Sequence, residues 1–329
     1  MLGTIWFCLV SFMIAAYVVL DGYDIGAGII YPLVTRSDGD RRLILRTIGP
    51  VWDGNEVWIL GGVTVLLAAF PAVYATVFSG FYLAIILTVV ALMMRAVSFE
   101  FWTTEEGPRR LWDLLFTAGS FLPPFLLGIA LGNVIQGIPL AANQEYAGDL
   151  LTLFRPFPLM VGIFGVLVVT IQGASYAAMK TTHELQERAR KTRRMLLFAF
   201  PVALAVLLAL TYVYVPSGFG QPVMWVGIAL AVAAWASTLV PPISSSDRLT
   251  FLLSSGIIGS LWLAAGSMQF PNIVYASNDA TNSLTVYNSS SPEGTLLLIV
   301  AVTAIGLPIV FIYTFFVYRI FKGKVASIA

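Results

Sequence analysis

Nine apolar segments, each long enough to cross a bilayer, account for most of this 329-residue chain. A spanning helix needs about 20 apolar residues, and every backbone polar group inside hydrocarbon must be hydrogen-bonded within the protein. The segments therefore predict an all-α, polytopic integral membrane protein with a single transmembrane domain over residues 1–329. The predicted helices cover about 4–33, 51–70, 77–98, 114–136, 157–180, 195–215, 222–242, 249–270 and 296–320.

The composition agrees with a membrane chain and narrows the chemistry open to it. Hydrophobic residues make up 58% of the chain and charged residues 11%, against about 25% charged residues in soluble domains. A single cysteine, Cys8, excludes an internal disulfide and a cysteine-rich metal or iron–sulfur site, and we predict that it is a small buried hydrophobe. The single histidine, His183, is predicted to be a solvated loop residue and not a ligand.

The basic residues predict how the helices are oriented. When the 18 Lys and Arg residues are placed on the nine-helix map, only Arg155 falls on the side of the N-terminus. Because the basic side of a membrane protein faces the cytoplasm, we predict an external N-terminus and a cytoplasmic C-terminus. The stretch 181–194 is predicted to be a solvated amphipathic extension whose basic excess suits anionic membrane lipid. The cytoplasmic set comprises Arg36, Arg41, Arg42, Arg46, Arg95, Arg109, Arg110, Lys180, Arg188, Arg190, Lys191, Arg193, Arg194, Arg248, Arg319, Lys322 and Lys324.

Two acids lie at the start of the second apolar segment, in the motif WDGNEVW. Ionised carboxylates in hydrocarbon cost on the order of a few kcal/mol, so they normally face a protein interior or a water-filled path. Residues three apart share one face of a helix, which predicts that Asp53 and Glu56 point the same way. Asn55, Trp52 and Trp58 are their predicted polar-tipped neighbours. The alternative is that both acids only cap the start of the helix.

Further charged residues are predicted to lie at the same depth as these two acids. Asp21 and Asp24 fall in the cytoplasmic half of the first helix, and Arg95 and Glu100 end the third helix on that side. The alternative is that Arg95 forms a buried ion pair with one acid and the set only fixes packing. Three glycines of the first helix would let a neighbouring helix approach closely, namely Gly22, Gly26 and Gly28.

Short polar and glycine-containing motifs are spread over most of the chain. They are Asp21-Gly-Tyr-Asp-Ile-Gly-Ala-Gly28, Trp52-Asp-Gly-Asn-Glu-Val-Trp58, Phe78-Ser-Gly-Phe-Tyr82, Arg95-Ala-Val-Ser-Phe-Glu100, Gly119-Ser-Phe-Leu-Pro-Pro124, Gly132-Asn-Val-Ile-Gln-Gly137, Gln172-Gly-Ala-Ser-Tyr176, Phe270-Pro271 and Ser283-Leu-Thr285. In this order they resemble the motifs of subunit II of cytochrome bd-type quinol oxidases. One departure is Trp102, which stands where the family pattern leads us to expect a basic residue.

The resemblance implies a fold, a partner and a location. It implies nine transmembrane helices arranged as two four-helix bundles plus a peripheral helix, in a heterodimer with subunit I in the bacterial plasma (inner) membrane. In that family subunit I carries haem b and haem d and oxidises quinol. No cofactor is therefore expected on this chain, while a bound quinone and a small accessory single-helix subunit stay open. The composition agrees with the expected absence of haem from this chain, because one histidine and one cysteine cannot ligate a bis-histidine haem. No nucleic-acid partner is expected.

The acids and the resemblance together predict a role in reducing oxygen to water without redox chemistry in this chain. We expect the chain to stabilise the haem-bearing subunit and to deliver cytoplasmic protons, because a carboxylate can accept and release a proton. Two alternatives stay open, a purely structural partner subunit and a secondary transporter. The predicted proton-path residues are Asp53 as the inlet, Glu56, Asp21, Asp24 and Glu100, with Arg95, Trp52, Asn55 and Trp58 as charge-pairing and packing residues.

Overall fold

A computed structural model describes residues 1–104 and 108–325 of the chain. Apart from two short antiparallel strands, β1 (Asn272–Val274) and β2 (Leu284–Thr285), the regular secondary structure of the described part is helical. Its eleven α-helices are α1 (Leu2–Val34), α2 (Asp38–Ile48), α3 (Trp52–Ala69), α4 (Pro71–Gly80), α5 (Tyr82–Thr103), α6 (Arg109–Gln136), α7 (Pro156–Lys180), α8 (His183–Tyr214), α9 (Pro222–Ser237), α10 (Asp247–Gln269) and α11 (Glu293–Ile320).

Seven helices of the described chain are long and apolar enough to cross a membrane, namely α1, α5, α6, α7, α8, α10 and α11. This finding confirms the prediction of an all-α, multi-pass membrane protein. The other two predicted segments correspond to α3 and α9, which have 18 and 16 residues. The structure ends α9 at Ser237, five residues before the predicted end, and Pro241 and Pro242 follow in the connection to α10.

Two helices differ from the sequence-based expectation. Helix α2 was not predicted, because the polar segment 38–48 carries no signal of a membrane span. It is an amphipathic helix capped by Ser37, whose hydroxyl accepts a hydrogen bond from the Asp40 amide at 3.2 Å. The predicted third segment, 77–98, is divided at Phe81 between α4 and α5. Helix α4 begins with Pro71 at its first position, which suits a residue that lacks an amide hydrogen.

Helix α1 lies at the centre and packs against α3, α6 and α7. Its closest approach to α7 is at Gly26 and Gly173, where a Cβ on either residue would collide with the backbone of the other helix. A Cβ on Gly28 would likewise collide with the Ser120 side chain of α6. These contacts confirm the predicted close approach at Gly26 and Gly28, whereas a Cβ on Gly22 would make only an ordinary contact with Val169 at 3.5 Å. The close crossings fix the position of the α1 segment that carries Asp21 and Asp24.

The remaining helices pack around this centre. Helices α7, α8, α9 and α10 contact one another in pairs, whereas α11 lies against α3 and touches α1. Leu296 is the buried residue of α11, and large apolar side chains such as Ile305 and Phe315 are exposed along it. Helix α11 therefore lies at the periphery of the helical core.

The connection between α6 and α7 contains Arg155, the one basic residue predicted to lie on the external side. The Arg155 guanidinium donates to Asn133 Oδ1 at 2.9 Å and to the Gly137 carbonyl oxygen at 2.7 Å, at the carboxyl end of α6. Asn133 Nδ2 donates in turn to the Leu153 carbonyl oxygen at 2.7 Å. Burial lowers the pKa of Arg155. Because its guanidinium forms hydrogen bonds with a backbone carbonyl and a side-chain amide at the carboxyl end of α6, Arg155 has a structural role.

Two single residues lie elsewhere than the sequence predicted. Cys8 is exposed on α1, so the prediction of a buried side chain is wrong. The reason is that an apolar run does not specify which face of a membrane helix is turned towards the protein. His183 is exposed as predicted, but it is the first residue of α8 and does not lie in a loop.

Candidate functional site

The candidate site is built around two aspartates of α1. Asp21 and Asp24 are three residues apart, lie on one face of the helix and are both completely buried. The nearby crossing of α1 with α7 at Gly26 leaves no space for a side chain between the two helices. Each carboxylate is therefore held inside the protein at a fixed position.

Arg95 of α5 brings a positive charge to these acids. Its Nη1 lies 3.6 Å from Asp21 Oδ1 and 3.3 Å from Glu56 Oε1 of α3. The guanidinium is 6.0 Å from the centre of the Trp52 ring, within the range of a cation–π contact. Helix α6 approaches this part of α5 through Gly119, where a Cβ would lie 2.8 Å from the Arg95 amide nitrogen. Arg95 thus links helices α1 and α3 from a buried position.

Asn55 organises the other side of the site. Its Nδ2 donates to Asp24 Oδ2 at 2.6 Å and to the Tyr23 hydroxyl at 2.9 Å. Its Oδ1 accepts a hydrogen bond from the Tyr318 hydroxyl of α11 at 3.0 Å. One buried amide therefore connects α1, α3 and α11. The sequence predicted only a packing role for Asn55.

Three tyrosines cover the site next to Asp24. The hydroxyls of Tyr23 and Tyr318 are hydrogen-bonded to each other. The Tyr23 ring stacks on Tyr176 of α7, with 4.1 Å between ring centres, and the Tyr176 hydroxyl donates to the Thr47 carbonyl oxygen at 2.8 Å. Hydroxyl groups can both donate and accept hydrogen bonds. The Tyr23 and Tyr318 hydroxyls therefore supply polar groups next to Asn55 and Asp24.

Several buried polar atoms of the site have no hydrogen-bond partner among the described residues. They include Asp24 Oδ1 and both Nε and Nη2 of Arg95. Most buried polar groups in proteins are hydrogen-bonded, so each exception calls for an explanation. Groups of this kind can bind internal water or exchange protons with one another.

The charges of the site are unequal. Asp21, Asp24 and Glu56 supply three carboxyl groups, and Arg95 is the guanidinium that faces them. Burying ionised groups that lack partners costs several kcal/mol each. The arrangement is therefore one in which gaining a proton relieves repulsion between carboxylates.

The family of the chain follows from comparisons with known proteins. Residues 2–321 match the family model described as "Cytochrome bd terminal oxidase subunit II". The chain belongs to this family. It is 30% identical to "Cytochrome bd-I ubiquinol oxidase subunit 2" of Escherichia coli (strain K12), over 98% of this chain and 95% of the relative. It is 28% identical to "Cytochrome bd ubiquinol oxidase subunit 2" of Bacillus subtilis (strain 168), over 99% of this chain and 97% of the relative.

A solved structure supports the fold. The chain superposes on a chain from the bd oxidase of Geobacillus thermodenitrificans with a TM-score of 0.81, covering 97% of this chain and 98% of the other at 18% identity. At this identity the likeness concerns the fold alone. Together with the seven membrane-length helices, family membership makes this chain a multi-pass membrane subunit of a bacterial respiratory oxidase. The alternative of a secondary transporter therefore has no support.

Not all acids predicted for the site of this bd subunit lie inside it. Asp53, in the first turn of α3, is exposed, and Glu100, near the end of α5, is exposed as well. Glu56 has a side chain that is 24% exposed and turns towards Arg95. The expected convergence therefore holds for Asp21, Asp24, Glu56 and Arg95, whereas Asp53 and Glu100 lie at the surface.

The two predicted tryptophan neighbours have different surroundings. Trp58 is buried and packs against Phe311 of α11, with 5.3 Å between ring centres. Trp52 is half-buried and lies beside Phe99 and Arg95. Both side chains support the placement of α3 among its neighbours, as the sequence predicted for packing residues.

A second ionic cluster was not anticipated from the sequence. Asp247, the first residue of α10, accepts hydrogen bonds from Arg190 Nη2 at 2.7 Å, Arg193 Nη1 at 3.0 Å and Gln186 Nε2 at 2.8 Å. Arg193 and Gln186 are buried. The prediction that 181–194 is a solvated extension is wrong for these residues, because the segment is the start of α8 and packs on α10.

A third polar contact involves the residue that departs from the family pattern. Trp102 is buried, and its Nε1 donates to Asp113 Oδ1 at 3.0 Å. The Tyr31 hydroxyl donates to the same oxygen at 2.7 Å, and Arg41 Nε lies 3.4 Å from Asp113 Oδ2. A neutral indole therefore serves as a donor to Asp113 at the position where the resemblance led us to expect a cation.

Proposed function

We propose that this chain is the non-haem subunit II of a quinol:oxygen oxidoreductase, in which it supports a haem-bearing subunit I and conducts cytoplasmic protons towards it. Four protons are consumed when four electrons reduce one oxygen molecule to water. The observation that supports the proton role is the buried cluster of Asp21, Asp24, Glu56 and Arg95, in which carboxyl groups outnumber the guanidinium. Ubiquinol, which the E. coli relative's name specifies, is the proposed substrate of the complex.

We assign haem b and haem d to subunit I. Haem iron needs an axial His, Met, Cys or Tyr, and the one histidine of this chain is exposed at the start of α8 while its one cysteine is exposed on α1. These residues do not fit a buried haem, so no redox step is placed in this chain. A quinone bound to this subunit and a small accessory helix both remain compatible with the proposal.

The proposed membrane arrangement has nine spans in one domain. Helices α3 and α9 complete the seven longer apolar helices, and the packing of α1, α3, α5 and α6 and of α7 to α10 fits two four-helix bundles with α11 at the periphery. The distribution of basic residues supports an external N-terminus and a cytoplasmic C-terminus. A reporter fused to the C-terminus should be cytoplasmic and one inserted within 277–290 external, and both on one side would refute the orientation.

The side of the protein that carries Glu56 is proposed to meet subunit I. A partly exposed carboxylate within a membrane helix is costly beside lipid, and such groups normally face protein or water. Glu56 lies between α3 and α5, and exposed apolar residues such as Leu60 and Met93 flank it on the two helices. A partner covering this surface would shield Glu56 from lipid and receive protons from the cluster.

Asp53 is the proposed proton inlet. It is exposed in the first turn of α3, at the cytoplasmic end of the proposed arrangement, one helical turn before Glu56. Glu56 in turn contacts Arg95, which reaches Asp21. Protons would pass from Asp53 to Glu56 and on to the buried aspartates through carboxyl groups and bound water. Glu100, exposed on α5, is proposed as an additional surface acid on this path.

The test of the inlet is the substitution Asp53→Asn in the purified two-subunit complex. We expect oxygen consumption per haem to fall by at least about tenfold, equivalent to about 1.4 kcal/mol in the barrier, with unchanged haem content and quinol affinity. Glu184→Gln is the matched control, because Glu184 is a cytoplasmic acid of the other bundle whose side chain is 90% exposed. Turnover of Asp53→Asn equal to that control would refute the inlet.

A purely structural role is the second candidate function. It is favoured by Arg95, which is buried and bridges Asp21 and Glu56 from a third helix. In that case neutralising an acid of the cluster should release haem from the complex or prevent its assembly. A variant that keeps its haem and loses turnover would speak against this candidate.

A further inference from the structure

Helix α11 is exposed along most of its length, but its Tyr318 is hydrogen-bonded to Asn55 and Tyr23 beside the acid cluster. We infer that Tyr318 of α11 is a positioning residue, which orients the Asn55 amide so that its nitrogen faces Asp24. The inference rests on the proposed proton role of Asp24. It starts from three observed contacts, namely Tyr318 to Asn55 Oδ1 at 3.0 Å, Asn55 Nδ2 to Asp24 Oδ2 at 2.6 Å, and the hydrogen bond between Tyr318 and Tyr23.

The amide of Asn55 has a donor end and an acceptor end, and only one orientation suits its surroundings. Nδ2 faces three acceptors, which are the Leu20 carbonyl oxygen at 3.2 Å, the Tyr23 hydroxyl at 2.9 Å and Asp24 Oδ2 at 2.6 Å. Turning the amide by 180° would place Oδ1 against the Leu20 and Asp24 oxygens. The Tyr318 hydroxyl, as the donor to Oδ1, stabilises the observed orientation.

Contacts on both sides of Tyr318 hold the end of α11 in place. Lys180 Nζ of α7 donates to the Phe321 carbonyl oxygen at 2.7 Å, and the Val325 amide donates to the Lys180 carbonyl oxygen at 2.8 Å. Towards the protein interior, Tyr23 contacts Tyr318 through its hydroxyl and stacks on another ring of α7. The position of the Tyr318 hydroxyl is therefore fixed by α1 and α7 as well as by its own helix.

The orientation of Asn55 matters for proton transfer at Asp24. A carboxyl group accepts and releases protons at its oxygens, and a donor that holds one oxygen leaves the other for exchange. Asn55 holds Oδ2, whereas Oδ1 has no hydrogen-bond partner among the described residues and is left for exchange. Without the Tyr318 hydroxyl, the amide would lose the hydrogen bond that holds its Oδ1 end and so helps to keep its nitrogen on Oδ2.

The test is Tyr318→Phe in the purified complex, which removes one hydroxyl and keeps the ring. We expect kcat for oxygen consumption to fall about three- to tenfold, with unchanged haem content and unchanged KM for quinol. The solvent deuterium isotope effect on kcat should rise, because proton delivery becomes more rate-limiting. Tyr313→Phe is the matched control, since Tyr313 lies on the same helix with its side chain exposed.

Three further variants separate the inference from the proposed function. If Tyr318 acts through Asn55, Tyr318→Phe combined with Asn55→Leu should turn over like Asn55→Leu alone. If Asp24→Asn is slow but Tyr318→Phe matches Tyr313→Phe in kcat and isotope effect, the positioning role is refuted while the proton role stands. If Asp24→Asn itself turns over at the wild-type rate, both are refuted. If the Asn55→Leu complex does not assemble, the comparison of Tyr318→Phe with Tyr313→Phe is sufficient to test the positioning role.

Discussion

Two buried ionic sites of this subunit differ in how completely their charges are paired. At the start of α10, one aspartate, Asp247, receives hydrogen bonds from Arg190, Arg193 and Gln186, and both of its oxygens have donors. In the acid cluster, Asp21, Asp24 and Glu56 share Arg95, and Asp24 Oδ1 has no hydrogen-bond donor among the described residues. Both carboxylate oxygens of the first site therefore have hydrogen-bond donors, whereas the second site contains a buried carboxylate oxygen without a donor among the described residues.

This difference indicates different roles for the two sites. A carboxylate whose oxygens are all engaged by guanidinium groups is held as an anion and joins two helices. A cluster with surplus carboxyl groups and free buried oxygens costs stability, and buried polar groups left in this state mark functional candidates. We therefore assign a structural role to Asp247, and the contrast supports the proton conduction proposed for the cluster around Asp24.

The largest expected effect is on assembly, from Arg95→Gln. This change leaves the buried acids without their cation, and removing one partner of a buried ion pair costs about 3–5 kcal/mol. We expect little or no haem-containing complex in membranes, measured as haem per milligram of membrane protein. The matched change Arg193→Gln should preserve assembly, because Arg190 still pairs with Asp247. A fully assembled but slow Arg95→Gln complex would instead make Arg95 a functional residue.

A smaller effect is expected on stability, from Asp247→Asn. The amide keeps one acceptor but loses the charge that holds two guanidinium groups, which should cost about 1–3 kcal/mol. The purified complex should unfold at a lower temperature and retain its turnover per haem. An unchanged Tm together with a lower turnover would contradict the structural assignment of this site.

The smallest expected effect is on turnover, from Glu56→Gln. The glutamine keeps an oxygen that can accept a hydrogen bond from Arg95 Nη1, and Asp21 and Asp24 keep their carboxyl groups. We expect oxygen consumption per haem to fall by about two- to threefold, which corresponds to less than about 1 kcal/mol. A decrease larger than that of Asp53→Asn would reverse the proposed order of the path.

The sequence predicted the fold class and the core of the acid site for physical reasons. Long apolar runs can only be helices in a membrane, and buried charges must meet, so the convergence of Asp21, Asp24, Glu56 and Arg95 could be predicted from their common depth. The contact between Asn55 and Tyr318 could not, because these residues are 263 positions apart. Hydropathy does not specify which helices become neighbours.

Other features were missed because the local signals were ambiguous. The charged start of α8 suggested solvent exposure, yet Arg193 is buried against an acid from another helix. Cys8 lies in an apolar run, and nothing in that run distinguishes a side chain facing protein from one on the outer surface. In both cases the tertiary contact, and not the local pattern, determines the environment.

The most direct test of the account compares oxygen consumption per haem in two purified complexes, Asp24→Asn and Asp247→Asn. Both changes replace a carboxylate by an amide of the same shape. Asp24 lies in the acid cluster, where one of its oxygens has no donor among the described residues, and Asp247 has donors to both of its oxygens. We predict that Asp24→Asn keeps its haem and turns over at least about tenfold more slowly, while Asp247→Asn turns over at the wild-type rate. Equal turnover of the two variants with full haem content would contradict proton conduction through this subunit.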